Sequence, residues 1–92
     1  MCDSEIFKAA LDKWGADAQT VMVFEEMSEL QKELCKHARG KENTEQIAEE
    51  IADVQIMLEQ MMILHSCGDA VKAYRRSKTE RLKIRVFGGE PH

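Results

Sequence analysis

Proline is nearly missing from this chain: the only one, Pro91, is the penultimate residue, so nothing upstream of it forces a break in a long helix. No stretch alternates apolar and polar residues at period two, and no segment is of low complexity, so neither strands nor disordered tracts are expected. Three cysteines (Cys2, Cys35, Cys67) are odd in number and show no C-x-x-C spacing. They read as reduced thiols of a reducing compartment. The three histidines, His37, His65 and His92, make no ligand spacing with them, which argues against zinc. The longest apolar run, Ile56 to Leu64, is interrupted by Glu59 and Gln60 and is too short to cross a bilayer. Asp3 and Glu5 stand where a secretory signal would carry basic residues. A cytoplasmic protein with no membrane partner is expected.

What is present fits one domain over residues 1–92, with a core of about 3–86 and a tail at 87–92 containing Gly88, Gly89 and Pro91. Hydrophobic content is 43% and charged content 33%, ordinary for a folded helical protein. The net charge of −4 argues against general nucleic-acid binding. Its distribution is more telling. Residues 42–71 carry acids and no Lys or Arg, while Lys72, Arg75, Arg76, Lys78, Arg81, Lys83 and Arg85 crowd a segment holding one acid, Glu80. An acidic centre and a basic C-terminal segment can together hold a metal-bound polyanion.

Helical periodicity divides the chain into four. Asp3 or Ser4 is expected to cap a short first helix with Ile6, Phe7, Ala10, Leu11 and Trp14 on its apolar face, ended by Gly15. A long second helix is expected from an Asp17 cap to about Arg39, stopped by Gly40. After a short Gly40–Asn43 loop, Asn43 or Thr44 caps the third, with an Asn43-x-x-Gln46 capping box; it runs to about Cys67 and stops at Gly68. The fourth runs from Asp69 to about Val86, with Val71, Tyr74, Leu82 and Val86 turned inward. The fold class is all-α: a bundle of about four helices, the two long ones antiparallel. Between Ile56 and Leu64 the third helix is apolar on nearly every face, more than three partner helices cover, so completion by a homodimer centred there is expected.

The two long helices carry the same pattern. VFEEMSELQKEL at 23–34 overlays IAEEIADVQIML at 47–58, with apolar stripes Val23, Met27, Leu30, Leu34 and Ile47, Ile51, Val54, Leu58. In each copy an acidic pair spaced i, i+3 borders the stripe: Glu26 and Glu29, then Glu50 and Asp53. A lone E-x-x-E is ordinarily a solvated helix face. Here like charges recur at i, i+4 (Glu25 with Glu29, Glu29 with Glu33, Glu49 with Asp53), each costing about 0.2–0.5 kcal/mol. The second copy has no basic neighbour to relieve it, and Asp53 is a poor helix former mid-helix. Packed antiparallel through the stripes, the helices would converge four carboxylates on one place. That pattern reads as a site for a hard divalent cation, Mg²⁺, Mn²⁺ or Ca²⁺.

Glu25-Glu26-x-x-Glu29, a spacer, and Glu50-x-x-Asp53 resemble the signature of the MazG-like all-α nucleoside triphosphate pyrophosphohydrolases. Trp14-Gly15, Gln19, the Ile47–Val54 run and Lys78-x-x-Arg81 extend the resemblance over roughly residues 11–86. It implies cleavage of an NTP or dNTP between the α and β phosphates, giving the monophosphate and pyrophosphate. Glu26, Glu29, Glu50 and Asp53 would then be Mg²⁺ ligands, with Mn²⁺ as a substitute, and Glu25 and Glu49 would neighbour the site. Lys78 and Arg81 are implied for the phosphates, and Trp14 and Gln19 for the nucleobase. The homo-oligomer expected from the apolar third helix is a dimer or a tetramer, a choice the residues leave open. The competing reading from another class is a non-enzymatic helical dimerisation module whose acids are solvated or hold a structural metal. A di-iron bundle would want Glu-x-x-His pairs, which neither Glu26 nor Glu50 forms.

Overall fold

A computed structural model describes residues 1–88 as four α-helices: α1 (Asp3–Trp14), α2 (Ala16–Ala38), α3 (Thr44–Leu64) and α4 (Gly68–Phe87). The all-α architecture is as expected. Of the tail, Phe87 is still helical, while Gly89 and Pro91 lie outside the described residues. No helix among the described residues is long and apolar enough to cross a membrane.

Backbone geometry explains where the helices end. Gly15 closes α1 and opens α2 at φ 91°, ψ 157°, a conformation that only glycine adopts cheaply. Gly40, at φ 100°, ends α2 in a Schellman turn. Its N–H donates to His37 O at 2.9 Å and that of Lys41 to Lys36 O at 3.1 Å. Helix α3 ends the same way on a residue with no such licence: Ser66, at φ 50°, donates to Ile63 O at 3.2 Å, and Cys67 to Met62 O at 3.0 Å. The turn therefore comes before Gly68, which opens α4 instead of terminating α3.

The expected caps also differ. Cys2, not Asp3 or Ser4, is the N-cap of α1, and Asp17 sits inside the first turn of α2, where its charge faces the positive helix end. Asn43 does occupy the N-cap of α3, but no side-chain bond caps that helix, so the capping box with Gln46 does not form. The Asn43 amide is used elsewhere. Its Nδ2 donates to Glu33 O and Glu33 Oε1, each at 2.9 Å, fastening the α2–α3 turn.

Helices α2 and α3 form the main contact of the fold, and α1 packs across both. Their antiparallel sense follows from the partners that meet: Glu33 with Asn43 near the turn, and Gln19 with Gln60 at the far end. The seam does not run along the expected stripes. Only Val23 and Val54 of those eight residues are buried, joined by Met57; Met27, Leu34, Ile51 and Leu58 are exposed. The seam lies about one residue round each helix. It therefore takes in Gln19, Glu26 and Glu33 from α2 and Asn43, Glu50 and Gln60 from α3, mixed with the apolar core. On α1, Phe7, Ala10 and Leu11 face inward as expected, but Ile6 and Trp14 are exposed.

Helix α4 departs furthest from expectation. Among the described residues it touches α3 alone, and sparsely. Of the four residues expected to turn inward, Val71 is half-buried, but Tyr74, Leu82 and Val86 are 66%, 56% and 61% exposed. Nor is the Ile56–Leu64 stretch covered all round: Met57 is buried, while Ile56 and Leu58 face outward.

Candidate metal centre

The shift of the seam by one residue puts carboxylates into it. Glu26 of α2 and Glu50 and Asp53 of α3 are half-buried, and each offers an oxygen within 4.8 Å of the others. One of these oxygens, Glu50 Oε2, is shielded from solvent and has no hydrogen-bond partner among the described residues. An acceptor without a donor in such a place costs free energy, and an ionised one costs more.

The electrostatics follow. Burial, then the charges of Asp53 and Glu50, a hydrogen bond with Asp53 and the charge of Glu29 together hold the Glu26 carboxyl above its ordinary value of 4.5. Burial, followed by the charges of Asp53, Glu29, Glu49 and Glu33, raises Glu50 likewise. Both groups therefore resist ionisation while nothing cationic is near. Glu33, one heptad along α2, behaves oppositely. Hydrogen bonds from Asn43 and from Lys36, the latter at 3.1 Å, lower its carboxyl. Only one of these two acidic points has its compensating donors built into the chain.

The donor set suits a hard divalent cation. Three carboxylates offer oxygen ligands, the buried Oε2 lacks any other partner, and no thiol or imidazole joins the group among the described residues. Glu29 does not complete the cluster. It is exposed on α2 and outside the group of three, although its charge reaches both Glu26 and Glu50. Glu25 and Glu49 are exposed neighbours.

The other expected residues fall in different places. Gln19 is buried, and its Nε2 donates to Gln60 Oε1 at 2.6 Å, so part of its amide is committed to the seam. Trp14 is 59% exposed, with the Lys13 ammonium 5.3 Å from its ring centre. Its ring edges an open apolar groove shared with Ala18, Gln19, Val21, Met22 and Glu25. Lys78 and Arg81 are exposed on α4, a helix that makes no contact with α2. Within one chain the basic pair is thus not packed against the helix that supplies Glu26.

Three seam residues escaped the sequence reading as partners: Glu33, Asn43 and Gln60. The signal for them is a polar heptad. Gln19, Glu26 and Glu33 recur every seven residues on α2, as do Asn43 and Glu50, and Asp53 and Gln60, on α3. Residues seven apart share a face. Glu26, Glu50 and Asp53 thus lie in the seam with Val23 and Val54, while Met27, Leu34, Ile51 and Leu58 of the apolar stripes are exposed. Comparison of the chain with protein-family models, with curated proteins and with solved structures returns no match, so the likeness to the MazG-like hydrolases rests on the residues named above.

Proposed function

We propose that this chain is a Mg²⁺-dependent pyrophosphohydrolase of nucleoside triphosphates, splitting a (d)NTP into the (d)NMP and pyrophosphate. The observation that carries the reading is the meeting of Glu26, Glu50 and Asp53 in the seam with Glu50 Oε2 left unpartnered. Those three would hold the cation, with Mn²⁺ as a substitute for Mg²⁺. When bound, it supplies Lewis-acid neutralisation of the phosphate oxygens, on which phosphoryl and nucleotidyl transfer depend. In the reaction, water attacks the α-phosphorus, the bond to the α–β bridging oxygen breaks, and pyrophosphate leaves.

The chain's own groups divide the remaining work. Glu29, exposed beside the cluster and outside it, is free to accept the proton of the attacking water. Glu26 and Glu50, both with raised proton affinity from burial and the neighbouring carboxylates, are the carboxyls that a cation in the site would favour in the ionised form. Lys78 and Arg81 would balance the leaving pyrophosphate. The Trp14 groove is an apolar wall of a size and chemistry to receive a base.

The test is incubation with each NTP and dNTP and Mg²⁺, with separate detection of pyrophosphate and orthophosphate. Pyrophosphate release that Glu50→Gln abolishes is the expected result. Orthophosphate as the sole product would reject cleavage between α and β. Calorimetric Mg²⁺ binding, lost in Glu50→Gln but without turnover of any nucleotide, would support the structural-metal module instead.

A further inference from the structure

Four polar side chains are buried among the described residues, Gln19, Glu33, Asn43 and Gln60, and they bond to one another in two pairs. Gln19 Nε2 donates to Gln60 Oε1 at 2.6 Å, joining α2 to α3. Asn43 Nδ2 donates to Glu33 Oε1 and to the Glu33 carbonyl, each at 2.9 Å, joining the N-cap of α3 to α2. Their places relative to the carboxylate cluster are regular. Gln19 and Glu33 stand seven residues before and after Glu26, Asn43 stands seven before Glu50, and Gln60 stands seven after Asp53. Seven residues are two helical turns, about 10.5 Å, and return to the same face. The cluster is therefore bracketed along the seam, with one pair beside the α2–α3 turn and the other at the far end.

Apolar packing alone holds such a seam loosely. Its buried apolar members among the described residues are Val23, Val54 and Met57. Their contacts are non-directional, so they tolerate a slide or splay of one helix against the other. The cluster favours that movement, because ionised carboxylates with oxygens within 4.8 Å of one another repel, and any displacement that lengthens those distances relieves them. A buried amide pair opposes it. Moving either helix leaves a shielded donor or acceptor without its partner, which is how single buried polar groups fix the register of packed helices.

Cation choice depends on that stiffness. Mg²⁺ demands oxygens at about 2.0–2.1 Å in near-ideal octahedral geometry, whereas Ca²⁺ accepts about 2.3–2.6 Å and a flexible set. A site spread by repulsion therefore loses more affinity for the smaller ion than for the larger. We infer that the Gln19–Gln60 and Asn43–Glu33 pairs are positioning clamps that hold Glu26, Glu50 and Asp53 at the spacing of a small cation, and so set a preference for Mg²⁺ over Ca²⁺. They act through the register of α2 and α3, one heptad away from the carboxylates they position. This role rests on the cation site proposed above and is independent of its nucleotide chemistry.

Calorimetric titration of the full chain with Mg²⁺ and with Ca²⁺, in the absence of nucleotide, tests the clamps. Gln19→Leu/Gln60→Leu replaces one of them by an apolar pair. It should bind Mg²⁺ about tenfold more weakly, the lower end for residues that support metal ligands, with Ca²⁺ affected less, so that the Mg²⁺-to-Ca²⁺ affinity ratio falls. Asn43→Ala should shift the ratio in the same direction from the other end, and it decides the matter if the leucine pair does not fold. Val23→Ala separates positioning from stability. It removes buried apolar volume but leaves both clamps, so its Tm should fall while the ratio stays native. A native ratio in the folded clamp variants overturns the inference, as does a fall in Val23→Ala as large as theirs. A native chain that binds neither ion overturns it together with the cation site. A chain that shows the expected ratios but releases pyrophosphate from no nucleotide refutes the hydrolase reading and leaves the clamps standing.

Discussion

Glu26→Gln changes one atom in the seam and carries the sharpest consequence of the cluster. Glu26 faces Glu50 and Asp53 with oxygens within 4.8 Å. Two unit charges at that distance repel by about 0.9 kcal/mol in water and about 3.5 kcal/mol at an effective dielectric of 20. Glu26 is half-buried, so solvent and salt place the effect near the lower limit, and its amide should stabilise the metal-free chain by about 1 kcal/mol. In a domain of this size that is a rise in Tm of roughly 4–8 °C. The sign with pH is fixed by the raised carboxyl. Ionisation of Glu26 is penalised in the fold, so the native chain is relatively destabilised above its folded pKa. As pH falls through that value Glu26 takes up a proton, the penalty goes, and the advantage of the amide closes. Excess Mg²⁺ reverses the order: the native Tm climbs, because a ligand of the folded state stabilises it by mass action, while the variant responds little. Thermal unfolding at neutral and mildly acidic pH, with and without Mg²⁺, reads all three. A metal-free variant less stable than native, or one that gains as much from Mg²⁺, would refute the description of these carboxylates as a frustrated cation site.

Other consequences can be read by denaturant titration. Asn43→Ala removes two hydrogen bonds from a side chain that is 1% exposed, and should cost about 1–3 kcal/mol at an unchanged m-value. Because Asn43 is the first cause of the lowered Glu33 carboxyl, the native chain should hold a stabilisation above pH 4.5 that fades as pH falls through the depressed value; the variant should lose most of that acid limb. Ser66→Gly relieves a left-handed residue at the end of α3 and should raise stability by about 1 kcal/mol. Gln19→Leu alone should destabilise by leaving Gln60 without its donor, while Gln19→Leu with Gln60→Leu should be near neutral or better in a double-mutant cycle.

The sequence made the four helices legible because their signals are local. Gly15 and Gly40 announce their turns through a backbone conformation other residues avoid, and the 3.6 period of α2 and α3 is unbroken. Ser66 hides the end of α3 for the same reason: nothing in its chemistry marks a left-handed turn, so the sequence points to the next glycine instead. Asn43 misled because an N-cap position and a tertiary hydrogen bond use the same side-chain amide, and only the fold decides between them. Glu26, Glu50 and Asp53 were legible as a set, since like charges on a helix need a reason. Glu29 was read as their fourth member by repeat symmetry, which its exposed position on α2 does not support.

The sequence pattern puts the apolar stripes in the seam and the acidic pairs at its edge, whereas Glu26, Glu50 and Asp53 are half-buried and Met27, Leu34, Ile51 and Leu58 are exposed. In a two-helix seam the most apolar stripe ordinarily faces inward, because burial of apolar area is the dominant favourable term. Here that stripe is turned half outward and polar heptads take the seam. An isolated chain would give up apolar burial and gain like-charge repulsion from such an arrangement, so neither choice favours a monomer without ligands. A cation among the carboxylates would remove the repulsion, and a surface laid over the exposed Met27, Leu34, Ile51 and Leu58 would restore the apolar burial. If a second copy supplied that surface, metal and partner would be coupled through one pair of helices. On that reading Mg²⁺ should tighten self-association and dilution of the chain should weaken its apparent affinity for Mg²⁺, the dimerisation constant rising by the square of the per-site affinity ratio when each chain of a dimer holds one ion.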